Sequence, residues 1–191
     1  VSRNQALIFV SASVLVGLLV GAFWIRTPGS TDSAIGDGSP DEAPGAALAG
    51  AVTLYFPGAD GRLHTEVRAL DTDAEGSELV RRIVASLLSG PDDDALFRPL
   101  PESTAVGSAL LASDGTLYLD LISSEYSLPP VAGSQRELLA AYSLVNSVCA
   151  NVPRIRGVAL LWNSEQRTTF AGNLDTTRPL TPNRRLVAAT S

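Results

Sequence analysis

The stretch AVGSALLASDGTLYLDLISSEY, residues 105–126, decides the fold. Two strand-like runs flank Ser113-Asp114-Gly115, a turn-forming triplet that predicts a β-hairpin. In the second run Leu117, Leu119 and Leu121 alternate with Tyr118 and Asp120. A period of two turns the leucines toward a core and the other two side chains elsewhere. The end of the run poses the functional question. Asp120 and Glu125 bracket the hydroxyls of Ser123 and Ser124, a set that suits either a hydrolase site or the polar end of a buried strand.

A serine nucleophile needs a general base within hydrogen-bond reach. No histidine lies near this segment, and nothing in the chain matches G-x-S-x-G. Paired carboxylates hydrolyse glycosides when burial keeps one of them protonated, so Asp120 and Glu125 stand as the alternative catalytic pair. The simpler expectation is that Ser123 and Ser124 bond to free backbone groups where the strand ends.

On either side of this segment the chain alternates in type. AVTLYF, ended by PGADG, reads as a strand and a turn, and HTEVRAL reads as its hairpin partner. In EGSELVRRIVASLLSG, Leu79, Ile83, Val84, Leu87 and Leu88 recur at helical spacing, and Gly90-Pro91 stops the helix. A second helix is predicted from about Ser134 to Ala150, with Leu138, Leu139, Tyr142, Val145 and Cys149 on one face. GVALLWN reads as a buried strand, with RTTFAG as its partner across an SEQ turn. This order predicts an α+β fold in two layers, with two helices packed on one face of a mixed or antiparallel sheet.

Residues 6–25, ALIFVSASVLVGLLVGAFWI, carry no charge. A helix of that length spans ~30 Å, the thickness of a bilayer core. Arg3 and Arg26 flank the run, and Trp24 sits where an interfacial aromatic anchors a helix. Residues 1–26 are therefore expected to be an uncleaved membrane anchor. A cleaved signal peptide is the alternative, although RTPGS offers no small-x-small site. Residues 27–50 are rich in Gly, Pro, Ser, Ala and Asp and read as a flexible tether reaching ~25–30 Å. Asp32, Asp37, Asp41 and Glu42 follow the anchor without a basic residue, which places the carboxy-terminal bulk outside. A domain over residues 51–187 and a short tail at 188–191 complete the expected organisation.

Composition limits the chemistry. The chain has 191 residues and a net charge of -6, with 14 basic residues, every one an arginine. Nucleic-acid binding needs a clustered basic surface and is not expected. One cysteine, Cys149, and one histidine, His64, leave no intrachain disulfide and no cysteine-rich zinc site. Cys149 falls on the apolar helix face, where a buried thiol is usual, and an intermolecular disulfide is the alternative. PDDD, residues 91–94, lacks the alternating acids, central Gly and terminal Glu of a calcium loop. The SGP and GADG turns are too short to cradle a nucleotide, so no cofactor is expected.

Taken in order, VTLYFPGADGRLHTEVRAL, LVRRIVASLLSGP, LPESTAVGSALLASDGTLYLDLISSEY, RIRGVALLWN and FAGNLDTTRPLTP resemble a GerMN domain across residues 51–187. The resemblance implies an exported, membrane-attached domain without enzymatic activity, similar in fold to ring-building domains of envelope assemblies. It implies partners in the envelope, or self-association, in sporulation, germination or envelope maintenance. A peptidoglycan-binding or peptidoglycan-hydrolysing domain using Asp120 and Glu125 is the alternative function, and a domain that positions another membrane protein is a third. The chain departs from the family pattern in two places. Ile122 stands between Leu121 and Ser123 where members have VDLSSEF, and the anchoring cysteine of family lipoproteins is absent. An extra residue reverses the later side chains if the strand continues.

Overall fold

A computed structural model of the protein describes residues 50–70 and 73–189. The expected anchor and nearly all of the tether lie outside the described residues. Among the described residues no helix is long and apolar enough to cross a membrane. The elements in order are β1 (Ala51–Pro57), β2 (Leu63–Ala69), α1 (Gly76–Leu88), β3 (Ala105–Leu111), β4 (Thr116–Ile122), α2 (Ser134–Asn151), β5 (Gly157–Trp162) and β6 (Glu165–Gln166), with a 3-10 turn at Arg184–Leu186. The α+β expectation holds. The strands divide into two sheets, an antiparallel pair β1-β2 and a mixed sheet in the order β3-β4-β5-β6.

The hairpin forms where the sequence predicts it, with β3 antiparallel to β4 across residues 112–115. Asp114 fixes the turn by accepting the Thr116 amide at 2.8 Å. β4 and β5 run parallel, which requires a crossover, and α2 supplies it. Leu117, Leu119 and Leu121 are buried, while Tyr118 and Ile122 face outward. One core collects Leu54 and Phe56 from the first hairpin, Val84 and Leu87 from α1, and Leu144 and Val148 from α2.

The Ile122 question resolves on the opposite strand. Ile122 ends β4 in regular register, paired with Ala105. The irregularity lies in β3, where Val106 pairs with Leu121 but Ser108 pairs with Asp120, leaving Gly107 as a bulge. A Cβ on Gly107 would sit 2.7 Å from Ile122 Cγ2 and 3.0 Å from Asp120 Oδ2. Glycine lets both side chains fold against the β3 backbone, and the bulged Gly107 carbonyl accepts from Arg81 of α1 at 3.1 Å.

Two expectations need correction. RTTFAG is not a strand partner of β5. The chain turns two residues earlier, at Asn163 (φ 52°) and Ser164 (φ 66°), so that Trp162 pairs with Glu165. Positive φ at both central residues is the type I′ hairpin geometry, and asparagine tolerates it well. The apolar seam of α2 is also rotated. Leu139 and Val145 are buried as expected, but Leu138, Tyr142 and Cys149 are only half-buried, whereas Glu137, Ala140, Ala141, Leu144 and Val148 are buried.

α2 is buried on most of its circumference, and its polar side chains explain why the sheets stay apart. The Thr53 amide donates to Asn151 Oδ1 at 2.9 Å, and Asn151 Nδ2 donates to the Thr53 carbonyl at 2.7 Å. The Tyr55 amide donates to Ser147 Oγ at 3.0 Å. The edge of β1 away from β2 is thus satisfied by helix side chains, in the place where another strand would pair. Asn151→Ala is expected to cost about 2 kcal/mol, because Thr53 keeps an unpaired N–H and C=O. Urea denaturation checks this; a loss under about 0.5 kcal/mol, the scale of a surface substitution, would contradict it.

Candidate functional site

The acid–hydroxyl segment is structural in its geometry. Asp120 is 6% exposed. Its Oδ1 accepts the Ser164 amide at 2.8 Å and its Oδ2 accepts the Ser164 hydroxyl at 2.9 Å. It therefore holds the left-handed turn between β5 and β6. Ser123 Oγ accepts from the amides of Glu125 and Tyr126, both at 3.3 Å, closing the turn after β4. Asn163 Oδ1 accepts the Ser123 amide at 2.9 Å, and Trp162 Nε1 donates to the Tyr126 carbonyl at 3.0 Å. Trp162 is a core residue. Glu125 is exposed, and no hydrogen bond joins it to Asp120. Of the two acids of the alternative reading, Asp120 is buried and bonded to Ser164 through both oxygens, while Glu125 faces solvent.

The remaining sequence candidates are also accounted for. His64 is partly exposed and pairs with Asp60 at 3.0 Å inside the β1–β2 turn. Among the described residues no cluster of His, Cys, Asp and Glu could hold a metal ion. The PDDD loop is pinned by Glu66, which accepts the amides of Asp92 and Asp93 at 3.0–3.1 Å. Arg68 lies beside Glu66 at 2.8 Å, both side chains 13% exposed. It donates to the Ser86 carbonyl at 3.0 Å and the Gly90 carbonyl at 2.6 Å, capping the end of α1. Arg68 also lies over the Phe56 ring, 5.2 Å from its centroid. Glu66 and Arg68 sit two residues apart on one face of β2, so a strand pattern with charges at i and i+2 was the available signal. Cys149 is half-buried on α2, and burial pushes its thiol up to about 11.

Glu137 had no sequence signal. It is fully buried in the first turn of α2. Its carboxylate accepts five hydrogen bonds of 2.6–3.1 Å from the Ala171, Asn173 and Leu174 amides and the Asn173 side chain. Burial alone would raise its pKa. The Leu174 and Ala171 amides and the two Asn173 donors outweigh burial and hold it below the ordinary 4.5. The loop so held leads into a carboxy-terminal strap. The strap pairs Leu180 with Val158 and Val187 with Leu63, and Asn183 with Asn146 through amide contacts of 2.9 and 3.3 Å.

One cleft remains as a candidate surface, with a volume of about 700 Å³. Its walls are the β1–β2 turn with Pro57 and Gly61, the segment from Phe97 to Pro101, and the start of α2 with Gln135, Arg136 and Leu139. Gly61 has φ +74°, a left-handed conformation that favours glycine, and the end of the Gln135 side chain lies against it. The second wall is fixed by the Phe97 amide, which donates to the Pro57 carbonyl at 2.8 Å, and by Arg98, which donates to the Leu88 carbonyl at 2.8 Å. The lining contains no carboxylate, histidine, serine or cysteine.

A family model described as Germane, sporulation and spore germination, matches residues 53–168. The first GerMN domain of the sporulation protein GerM from Bacillus subtilis is similar in structure, with a TM-score of 0.56 and 17% identity, covering 71% of this chain and 98% of that one. The tandem GerMN domains of the same protein give a TM-score of 0.54 and 16% identity, over 69% of this chain and 45% of the tandem. At these identities the solved structures speak for the fold alone. No curated protein sequence matches the chain.

Glu137→Gln is expected to cost about 3 kcal/mol in urea denaturation, because an amide NH₂ replaces one acceptor oxygen and faces N–H donors. Since the folded pKa is depressed, the Glu137 contribution is fully present above about pH 5 and is lost as pH falls through 4 and below. The variant should lack this acid-sensitive part; equal acid sensitivity in both proteins would contradict the assignment. The Cys149 thiol should react with a disulfide reagent at pH 8 roughly ten- to a hundredfold more slowly than free cysteine. Labelling as fast as free cysteine would overturn its placement.

Proposed function

Because the chain belongs to the Germane family of sporulation and spore-germination domains, we propose that it acts as a non-enzymatic interaction module of the cell envelope. Residues 1–26 hold it in the membrane, residues 27–50 set it off from the surface, and the domain over residues 51–187 docks on a protein partner or on itself. One observation carries this reading. The buried carboxylates Asp120 and Glu137 and the largely buried Glu66 are spent on backbone amides and turns, while the cleft of about 700 Å³ has apolar and cationic walls without a nucleophile or an acid pair. Such a lining suits recognition better than bond-making.

The chain contains no lysine, so amine-directed crosslinkers would reach little beyond an amino terminus. The test is a photoactivatable residue placed at the exposed Phe97, on the cleft, or at the exposed Tyr118, on the sheet face, in native membranes. The proposal expects a discrete adduct with one envelope protein or with a second copy, and no muropeptide release from purified cell walls. Absence of an adduct at either site, together with muropeptide release that Asp120→Asn abolishes, would replace this proposal with the peptidoglycan one.

A further inference from the structure

We infer that the cleft between the β1–β2 turn, the Phe97–Pro101 segment and the start of α2 binds an extended acidic peptide segment of a partner protein. The inference rests on the interaction-module reading and names the chemistry of the partner.

The shape supports a peptide. Pro57, Pro99, Pro101 and Pro130 line the cleft. Proline fixes φ, so these walls lose little freedom when a chain settles between them. Leu100 and Leu139 are buried beneath, and Phe97 stands 53% exposed above. An exposed aromatic beside rigid proline walls offers an apolar landing site at low entropic cost.

The charge selects an acidic occupant. The protein carries -6 overall, yet among the described residues the charged side chains lining the cleft are Arg98 and Arg136, and Asp60 in the adjoining turn is paired with His64. Arg98 is partly used by the Leu88 carbonyl. Arg136 is exposed, and among the described residues no hydrogen bond or ion pair engages it. It sits in the first turn of α2, where the helix dipole opposes a cation, so it contributes nothing to the helix that carries it. The carboxylate of that turn, Glu137, points instead into the loop at residues 171–174. A guanidinium left without a partner on an acidic protein is matched by an external carboxylate, through a bidentate pair. The outer sheet face around Leu110 and Tyr118 also exposes apolar area, but the carboxylate two residues along that strand, Asp120, is already committed to Ser164.

The test uses the 191-residue chain in nanodiscs and fluorescein-labelled decapeptides in which Glu alternates with Pro and Leu. Matched peptides carry Lys in place of Glu, and binding is read by anisotropy. The acidic peptides are expected to bind with Kd of roughly 100 μM and the lysine peptides not to bind. Arg136→Glu should weaken binding by roughly tenfold or more, and Phe97→Ala by roughly fivefold. Leu110→Ala, outside the cleft, should leave binding and thermal melting unchanged. Failure of every acidic peptide to bind, equal binding of the lysine peptides, or indifference to Arg136→Glu in a protein of unchanged melting temperature overturns the inference. Peptidoglycan fragments displacing the acidic peptide would reassign the cleft to cell-wall material. If an envelope partner is still captured at Phe97 or Tyr118 when Arg136→Glu is present, only the cleft assignment fails; if no partner is captured at either site in either protein, the interaction-module reading fails as well.

Discussion

A helix buried on most sides cannot leave its polar side chains unpaired, and α2 buries Glu137, Ser143, Asn146 and Ser147. Each unpaired group would cost about 1–3 kcal/mol, a large share of a domain's net stability. The chain around α2 is arranged to supply the partners. Ser143 is satisfied within the helix by the Leu139 carbonyl at 2.8 Å. Ser147, with Asn151 at the helix end, takes up the free edge of β1. Asn146 holds Asn183, and Glu137 gathers the loop at residues 171–174. The split into two sheets, the crossover between β4 and β5 and the path of the carboxy-terminal strap all converge on this one helix.

The same helix places the cleft. Its first turn forms one wall, and β1, bonded along its length, carries the Pro57 turn that forms another. The third wall hangs from that turn through the Phe97 amide and from α1 through Arg98. Glu66 and Arg68 then lock the end of α1 and the acidic loop that follows. The walls are fixed before anything binds, which lowers the ordering cost of recognition. Of the two carboxylates that look catalytic in the sequence, Asp120 is consumed in this work and Glu125 stays exposed. Asp120 faces away from the core, but a turn covers it, and its two oxygens are committed to Ser164.

Much of the fold is legible because local rules and tertiary packing agree. The Ser113-Asp114-Gly115 turn, the alternation of Leu117, Leu119 and Leu121, and the helix stop at Gly90-Pro91 each state their structure within a few residues. The face of α2 is misread because its buried stripe includes Glu137, and a period of apolar residues cannot register a buried acid whose donors lie more than thirty residues away. The last hairpin is misplaced because Asn163-Ser164 accepts positive φ, a cue that was present but weaker than the β-branched run after it. The cleft is invisible in sequence for a different reason. Its walls come from three segments with no common period, and Arg136 looks like any exposed helix charge until its place on the cleft wall is seen.

The dependence of the fold on α2 is open to a direct measurement, native-state hydrogen exchange of single amides by NMR. The Thr53 and Tyr55 amides bond to helix side chains, and the Asn173 and Leu174 amides bond to Glu137. All four should exchange only through global opening, with the same free energy as the central amides of α2. Exchange of Asn173 and Leu174 at the rate of an open loop, or of Thr53 and Tyr55 at the rate of an unpaired strand edge, would contradict the account.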